Sequence, residues 1–141
     1  MNGSLVVDAS IAVKWVLAES DSELAQQIVH ASLLAPDLLL IECGNAIWRH
    51  VQLGEIEPAE VPQLWAVLRA MPVEIVASDE LVERALDLDV ALKHPIYDCL
   101  YLTLALDRGA RVVSADRRFL AASRSRADLV GAVVLLSELA H

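Results

Sequence analysis

The stretch LVVDASIAV at residues 5–13 decides how the chain is expected to fold. Three apolar residues, two of them β-branched, lead directly into Asp8, and small and aliphatic residues follow. A short apolar run of this kind is typical of a buried strand, so we predict a strand at 5–8 and a short helix at 9–18. An ionised carboxylate resists burial unless it is paired or binds a metal. Asp8 is therefore a candidate functional residue.

Three further acids lie in equally apolar surroundings. Glu42 and Asp116 each follow a largely apolar run, and Asp98 lies inside one. Most of the four acids have no basic neighbour in the sequence, and crowded carboxylates without a counter-ion repel one another. The pattern favours one shared partner, a divalent cation. Mg²⁺ or Mn²⁺ suits such a site because both are hard cations that prefer oxygen ligands.

Short apolar segments alternate with helical patterns along the rest of the chain. Further strands are predicted at 33–35, 73–76, 111–114 and 132–136, and helices at about 21–30, 37–53, 58–70, 79–93, 96–108 and 117–122. Gly54 and Gly109 favour the ends of two helices, and Pro58 favours the start of another. The alternation predicts an α/β fold in three layers, a central parallel sheet flanked by α-helices, with one domain spanning 1–141.

The four acids are expected to meet at one edge of this sheet. In open α/β sheets the functional site lies beyond the carboxyl ends of the strands, where the strand order reverses. Asp8 ends the first strand, and Asp116 lies just beyond the strand at 111–114. If these two strands are neighbours, both acids emerge together, and Glu42 and Asp98 can reach the same edge from the early turns of two helices.

Bulk composition limits the class of protein. The chain has 141 residues and 56% hydrophobic content, ample for one core. No uninterrupted apolar stretch approaches the roughly 18 residues of a membrane span, and the start of the chain has no basic segment like that of a secretory signal. Two cysteines do not make a disulfide framework. We expect a cytoplasmic protein without a membrane partner.

Four short motifs carry a family resemblance. LVVDAS at residues 5–10, Glu42 with Asn45 three residues on, Tyr97-Asp98, and SADRRF at 114–119 occur in this order across nearly the whole chain. Together they resemble the PIN domain, and more narrowly the VapC toxins of bacterial toxin–antitoxin pairs. Each motif alone is a weak signal, whereas four in the right order are a strong one.

The resemblance implies a four-acid catalytic site. The catalytic acids are Asp8, Glu42, Asp98 and Asp116, of which Asp8, Asp98 and Asp116 hold the metal. It further implies Mg²⁺- or Mn²⁺-dependent cleavage of RNA to a 5′-phosphate and a 3′-hydroxyl. Homodimerisation and inhibition by a small VapB-type antitoxin are the expected assemblies.

Three polar residues are predicted to support the acids, namely Ser10, Asn45 and Ser114. Ser114 is a candidate for holding a water or a neighbouring acid, although serines at such positions more often satisfy backbone groups. Asn45 lies one turn after Glu42, so it either orients that side chain or is an ordinary polar residue of the helix.

The net charge of −9 argues mildly against a general nucleic-acid binder. The charge is uneven, because residues 108–126 carry six arginines against the single acid Asp116. This segment either meets phosphates or is a solvated surface. Arg117 and Arg118 directly follow Asp116, so we predict that they contact RNA phosphates at the rim of the site.

Each acid also has a simpler interpretation. Asp8 and Asp116 are favourable helix N-caps, and Asp98 is favourable near a helix N-terminus. Glu42 could instead pair with Arg49. Taken together rather than singly, the four acids favour the metal site.

Three conspicuous side chains are expected to have structural places. Trp48 and Trp65 are expected in the core or a dimer interface rather than against RNA bases. His94 precedes a proline at a helix break, so it is expected in a loop.

Two other functions fit parts of the sequence. A phosphohydrolase of the haloacid-dehalogenase type would use Asp8 as nucleophile, but it needs a second Asp where Ser10 stands. A non-catalytic PIN-fold module that binds only RNA or protein would show loss of site acids, and all four are present. The sequence has no zinc-ligand spacing and no Gly-rich phosphate loop.

Overall fold

A five-stranded parallel sheet forms the centre of the protein. The computed structural model describes residues 3–139. The strands are β1 (Leu5–Val7), β2 (Leu33–Pro36), β3 (Val73–Val76), β4 (Arg111–Ser114) and β5 (Val133–Leu135). Their order is β3-β2-β1-β4-β5, and every neighbouring pair is parallel. The β1 and β4 strands lie in the interior of the sheet, which explains why they are short apolar runs without polar alternation.

Helices connect the strands and flank the sheet. They are α1 (Ala9–Ala12), α2 (Ser22–Gln27), α3 (Leu38–Gln52), α4 (Val61–Ala70), α5 (Val82–Leu92), α6 (Ile96–Arg108) and α7 (Arg117–Arg124). Helix α6 lies against β1, β2 and β4 and is covered by α5, while α3 packs on α1 and β2. The predicted three-layer α/β/α fold is confirmed.

Most predicted boundaries agree with the structure, but four helices begin or end elsewhere. Helix α2 ends at Gln27 and α4 begins at Val61, because 3₁₀ turns at Ile28–His30 and Pro58–Glu60 occupy the rest of the predicted ranges. Helix α1 is only one turn long and continues as a 3₁₀ turn at Val13–Trp15, so the helix predicted at 9–18 ends early. Helix α5 starts at Val82 rather than at Asp79. The turn that precedes α5 is held by Ser78, whose amide and hydroxyl donate to Asp37 Oδ1, so Asp79 lies outside the helix.

The register of β1 and β4 creates the edge at which a site can form. Val6 is opposite Val112 and Val7 is opposite Val113. The chain leaves β1 towards β2 and leaves β4 towards β5, so the strand order reverses between β1 and β4. A crevice opens at such a reversal because the two connections diverge. The strand predicted at 5–8 ends one residue earlier, at Val7, and Asp8 begins the connection after β1 as the N-cap of α1.

Two local features complete the description of the fold. No helix among residues 3–139 is both long enough and apolar enough to cross a bilayer. Cys43 and Cys99 are buried free thiols, and burial raises the pKa of each to about 12. They therefore behave as small core residues rather than as nucleophiles.

Two glycine substitutions should have opposite effects on stability. Gly109 ends α6 with a φ of 62°, a left-handed conformation that side chains disfavour. Gly44 lies inside α3, where an added Cβ would contact Trp65 Cζ3 at an ordinary 3.9 Å. We expect Gly109→Ala to lower the free energy of unfolding by about 1–2 kcal/mol, and Gly44→Ala to raise it by about 0.5–1 kcal/mol. Urea titration measures both, and two changes of the same sign would contradict the assigned backbone geometry.

Candidate active site

All four acids line one open cleft at the carboxyl edge of the sheet. The cleft has a volume of about 900 Å³, and its walls include Asp8, Glu42, Asp98 and Asp116. Ser10 and Asn45 also line it. The acids come from four different connections of the fold, so the reversal between β1 and β4 brings together residues that are as much as 108 positions apart.

Asp8 is the most deeply buried of the four acids, at 4% exposure. It caps α1, and its Oδ1 accepts from the Ser10 hydroxyl at 2.5 Å and from the Ile11 amide at 3.3 Å. Burial raises the pKa of Asp8 to about 7 even though these hydrogen bonds and the nearby Ser114 hydroxyl lower it, and Asp98 raises it further. The carboxyl group therefore changes charge near neutral pH.

Ser10 and Ser114 tie the end of β1 to the end of β4. The Ser10 hydroxyl accepts from the Ala115 amide at 2.9 Å and lies 3.5 Å from the Ser114 hydroxyl. The Ser114 hydroxyl in turn accepts from the Asp116 amide at 3.0 Å. Both serines thus satisfy backbone groups and also position acids. The two roles that the sequence left open for them, support of the acids and capping of backbone groups, are therefore compatible.

Glu42 is held by a tyrosine rather than by an arginine. The Tyr101 hydroxyl donates to Glu42 Oε1 at 2.5 Å. Burial raises the pKa of Glu42, the Tyr101 hydrogen bond opposes this, and Asp98 adds to it. Tyr101 is fully buried and its pKa is held far above the usual range, chiefly by burial, so it remains a donor. Among the described residues, Glu42 makes no ion pair with Arg49.

Asp98 is held by a histidine one turn earlier. His94 Nε2 lies 2.6 Å from Asp98 Oδ2, and the imidazole stacks on Phe119 with ring centroids 5.4 Å apart. Burial raises the pKa of Asp98, the hydrogen bond and charge of His94 oppose this, and Asp116 adds to it. His94 lies in a loop, as expected, but sequence reasoning missed its contact with the site. The spacing of four residues between His94 and Asp98 was the available signal.

Asp116 combines two roles. Its Oδ1 caps α7 by accepting from the Arg118 amide at 2.9 Å and from the Phe119 amide at 3.4 Å. The same side chain lines the cleft. Capping therefore fixes the carboxylate at the rim.

The acids share an arrangement that suits a hard cation. In Glu42, Asp98 and Asp116 one oxygen is held by the protein, and the other accepts no hydrogen bond from residues 3–139. Beyond the larger effect of burial, Asp98 raises the pKa of Asp8 and of Glu42, and Asp116 raises that of Asp98. Asp98 is thus electrostatically coupled to the other three acids.

The donor chemistry fits Mg²⁺ or Mn²⁺, but the ligand geometry is not preformed. Within residues 3–139 no three His, Cys, Asp or Glu side chains are placed to hold one ion together. Carboxylates that repel one another relax apart in the absence of a cation. Binding at Asp8, Asp98 and Asp116 would require these side chains to converge, and their assignment as metal ligands stays a prediction.

The remaining predicted residues lie at different distances from the cleft. Asn45 lies in its wall, one turn along α3 from Glu42. Arg117 and Arg118 are exposed and are not among the residues that line the cleft within 3–139. Their roles stay predictions.

Comparison with known proteins places this arrangement in a family. The PIN domain family model matches residues 5–125. The chain belongs to the PIN domain family. That one PIN domain spans all of 1–141 stays a prediction, since residues 1–2 and 140–141 lie outside the described part of the chain.

Solved structures share the fold of this PIN domain at low sequence identity. PAE2754 from Pyrobaculum aerophilum is 20% identical with a TM-score of 0.74, over 99% of this chain and 88% of the other. A toxin-antitoxin complex from Klebsiella pneumoniae is 11% identical with a TM-score of 0.64, over 94% of this chain and 97% of the other. VapBC2 from Rickettsia felis, in a structure bound to a DNA fragment from its promoter, is 13% identical with a TM-score of 0.62. The match covers 94% of this chain and 98% of the other. No curated protein matches this PIN domain by sequence.

The raised pKa of Asp8 predicts that the metal-free PIN domain loses stability as pH rises. The folded pKa is about 7 against 3.8 for the ordinary group, so the folded state binds more protons between these values. The contribution of this group to the free energy of unfolding therefore falls as pH rises through that window and levels off above it. The fall is about 2–3 kcal/mol between about pH 5 and about pH 8. Asp8→Asn, which keeps an acceptor for Ser10 and Ile11, should remove most of this fall.

The matched control is Asp87→Asn, at an exposed position of α5 outside the cleft. Urea unfolding of the three proteins in EDTA at both pH values measures the effect. If the free energy of unfolding depends on pH in the same way in Asp8→Asn and Asp87→Asn, the pKa of Asp8 is not raised in the folded protein.

The His94 contact predicts a role in positioning Asp98. His94→Ala should weaken Mn²⁺ binding by roughly 10- to 100-fold, the usual effect of losing a group that orients a metal ligand. His94→Gln places an amide nitrogen near the former Nε2 and should restore part of the affinity. Titration calorimetry measures this, with circular dichroism to show that each variant is folded. Wild-type affinity in His94→Ala would show that the pair is only structural.

Proposed function

We propose that the chain is a metal-dependent endoribonuclease of the VapC toxin type, acting in the cytoplasm and inhibited by a cognate VapB-type antitoxin. The observation that carries the proposal is the meeting of four carboxylates in one open cleft, with Asp98 coupled to the other three. Membership of the PIN domain family supports a hydrolase acting on RNA. The named partners in two of the similar structures, a toxin-antitoxin complex and VapBC2, support the antitoxin.

Asp8, Asp98 and Asp116 would hold Mg²⁺ or Mn²⁺. Such an ion, when bound, lowers the pKa of water and neutralises charge on a phosphodiester. Ser10 and Ser114 hold Asp8 and Asp116 at the cleft edge, and His94 holds Asp98 in the wall of the same cleft. The protein thus contributes positioning, which is a large part of phosphoryl-transfer catalysis.

Glu42 is the acid best placed to take a proton. Tyr101 fixes one of its oxygens, the side chain lines the cleft, and burial raises the pKa of its carboxyl group. In the proposed reaction a water oxygen bonds to phosphorus, its proton passes to Glu42, and the bond to the 3′ oxygen breaks. Solvent water then donates a proton to that oxygen and Glu42 returns its proton to solvent, which leaves a 5′-phosphate and a 3′-hydroxyl.

The cleft also suits a basic inhibitor. A segment carrying Arg or Lys would compete with the cation for the acids, and the net charge of −9 attracts a basic partner at long range. Exposed apolar side chains of α3 supply a second contact surface, because Ile41 is 72% exposed and Trp48 is 56% exposed. The proposed homodimer would need an apolar surface of the same kind.

The reaction is tested with purified protein free of antitoxin. We expect it to cut single-stranded RNA with Mg²⁺ or Mn²⁺ and to stop in EDTA. Asp98→Asn should reduce cleavage by at least ~10²-fold, because groups that stabilise charge or transfer protons typically supply that much. Asp87→Asn is the matched control and should cut at the wild-type rate.

Each alternative gives a different result in this assay. Equal cleavage in EDTA would reject the metal mechanism. Binding of RNA without cleavage would favour the non-catalytic module. Hydrolysis of a phosphate monoester without RNA cleavage would favour the phosphohydrolase.

A further inference from the structure

The cleft continues from the acids along one face of α3. Glu42, Asn45 and Arg49 line it at spacings of three and four residues, which place them on the same side of the helix. Buried Leu39, Cys43 and Ile47 occupy the neighbouring face against the core. From Glu42 to Arg49 the helix rises by about 10 Å. The cleft therefore has an acidic end and an end that lies beyond direct reach of the acids.

Two of the three basic side chains at that far end, Lys14 and His50, are already engaged by neighbouring groups. Lys14 is only 8% exposed, and its Nζ donates to the Ser20 carbonyl at 2.8 Å and lies 3.5 Å from Glu19 Oε1. His50 lies between two glutamates, with Nε2 3.4 Å from Glu19 and Nδ1 3.6 Å from Glu55. These contacts tie the segment before α2 to the end of α3, so both residues have structural roles.

Arg49 is different, because its guanidinium is exposed and makes no ion pair within residues 3–139. It also donates no side-chain hydrogen bond to any described residue. Of the three basic side chains that line the cleft among residues 3–139, only Arg49 is not already held by a glutamate. An open groove with a free guanidinium is suited to an anion that also reaches the acids.

We propose that Arg49 binds a backbone phosphate of the RNA that neighbours the phosphate cut at the acids, and so fixes the register of the strand in the cleft. The proposal rests on the proposed function and deepens it. A guanidinium matches phosphate oxygens with two parallel hydrogen bonds. The separation along α3 places this contact at a neighbouring nucleotide rather than at the scissile bond. Arg49 thereby recognises an extended polyanion rather than a single phosphate.

The aromatic residue beside the acids indicates a single strand. Tyr97 lines the cleft next to Asp98 and is 57% exposed. An exposed aromatic ring in a groove can stack on an unpaired base, which a duplex does not present. The strand proposed here runs from Tyr97 and the acids towards Arg49.

Salt dependence of binding tests the charge of Arg49. The assay uses the full chain with Asp98→Asn, to prevent cleavage, and single-stranded RNA. Adding Arg49→Ala should weaken binding roughly tenfold, as for one charge-assisted contact, and should flatten the slope of log K against log salt by about 0.7. Arg49→Lys should keep the slope.

Arg69→Ala is the matched control, since Arg69 is also an exposed arginine in the last turn of a helix and lies outside the cleft lining. It should leave affinity and slope unchanged. In a protein that still cleaves, Arg49→Ala should raise KM with little change in kcat, because the contact forms in both the ground state and the transition state.

RNAs in which one backbone phosphate is replaced by an uncharged group can locate the nucleotide that Arg49 contacts. A series of RNAs, each with one methylphosphonate, is bound to the Asp98→Asn protein with and without Arg49→Ala. One substitution near the cut site should weaken binding with Arg49 present and have little further effect in its absence. Equal losses in both proteins at every position, or an unchanged salt slope, would overturn the role of Arg49. Absence of wild-type cleavage with Mg²⁺ or Mn²⁺ would instead reject the proposed function, so the two failures are distinguishable.

Discussion

Parallel pairing of β1 with β4 is the constraint on which the rest of the structure depends. The pairs of Val6 with Val112 and Val7 with Val113 bring the start of the chain beside a strand more than a hundred residues later. Because both strands run the same way, the residues that follow them emerge at the same edge. Every contact between the Asp8 and Asp116 segments, including the serine bridge between Ser10 and Ser114, follows from this register.

Bringing buried carboxylates together at this edge of the sheet is energetically unfavourable, and hydrogen bonds from the surrounding residues reduce the penalty. Carboxylates of like charge raise one another's pKa, and burial raises it further. Hydrogen bonds to one oxygen of three of the acids oppose this effect, from Ser10 to Asp8, from Tyr101 to Glu42 and from His94 to Asp98. These donors make the cluster tolerable without a cation, while the remaining oxygens stay available in the cleft. A completely satisfied set of acids would be more stable and would have nothing left with which to bind.

Local signals were sufficient to predict the main elements of the fold. Helix α6 was predictable at Ile96–Arg108 because an apolar segment lies between Pro95 and Gly109, which end a helix on either side. Helix α5 was predicted to start too early, because the turn before it is held by a distant contact. The Ser78 hydroxyl and amide both donate to Asp37 Oδ1, 41 residues away, and no local pattern reveals such a pair.

The same distinction explains the site. The four acids were detectable because a carboxylate in an apolar run is unusual wherever it occurs. Tyr101 was missed because its partner Glu42 is 59 residues away, although its position three residues after Asp98 places both on one face of α6. The contact of His50 with Glu19 likewise joins separate segments. Sequence therefore predicts the residues that are chemically out of place, and the fold is needed to find the residues that hold them there.

The net charge of the chain is a poor guide to the potential in the cleft. The formal value of −9 counts Asp8 as fully ionised, yet a pKa of about 7 leaves it substantially protonated near neutral pH. Arg108, Arg124 and Arg126, in the arginine-rich segment, are paired with Glu74, Glu138 and Asp128 on the surface. Their charge is partly neutralised by these partners, whereas Arg49 has no such partner among residues 3–139. For the RNA strand proposed above, the position of the acids at one end of the cleft and of Arg49 at the other matters more than the net charge summed over the chain.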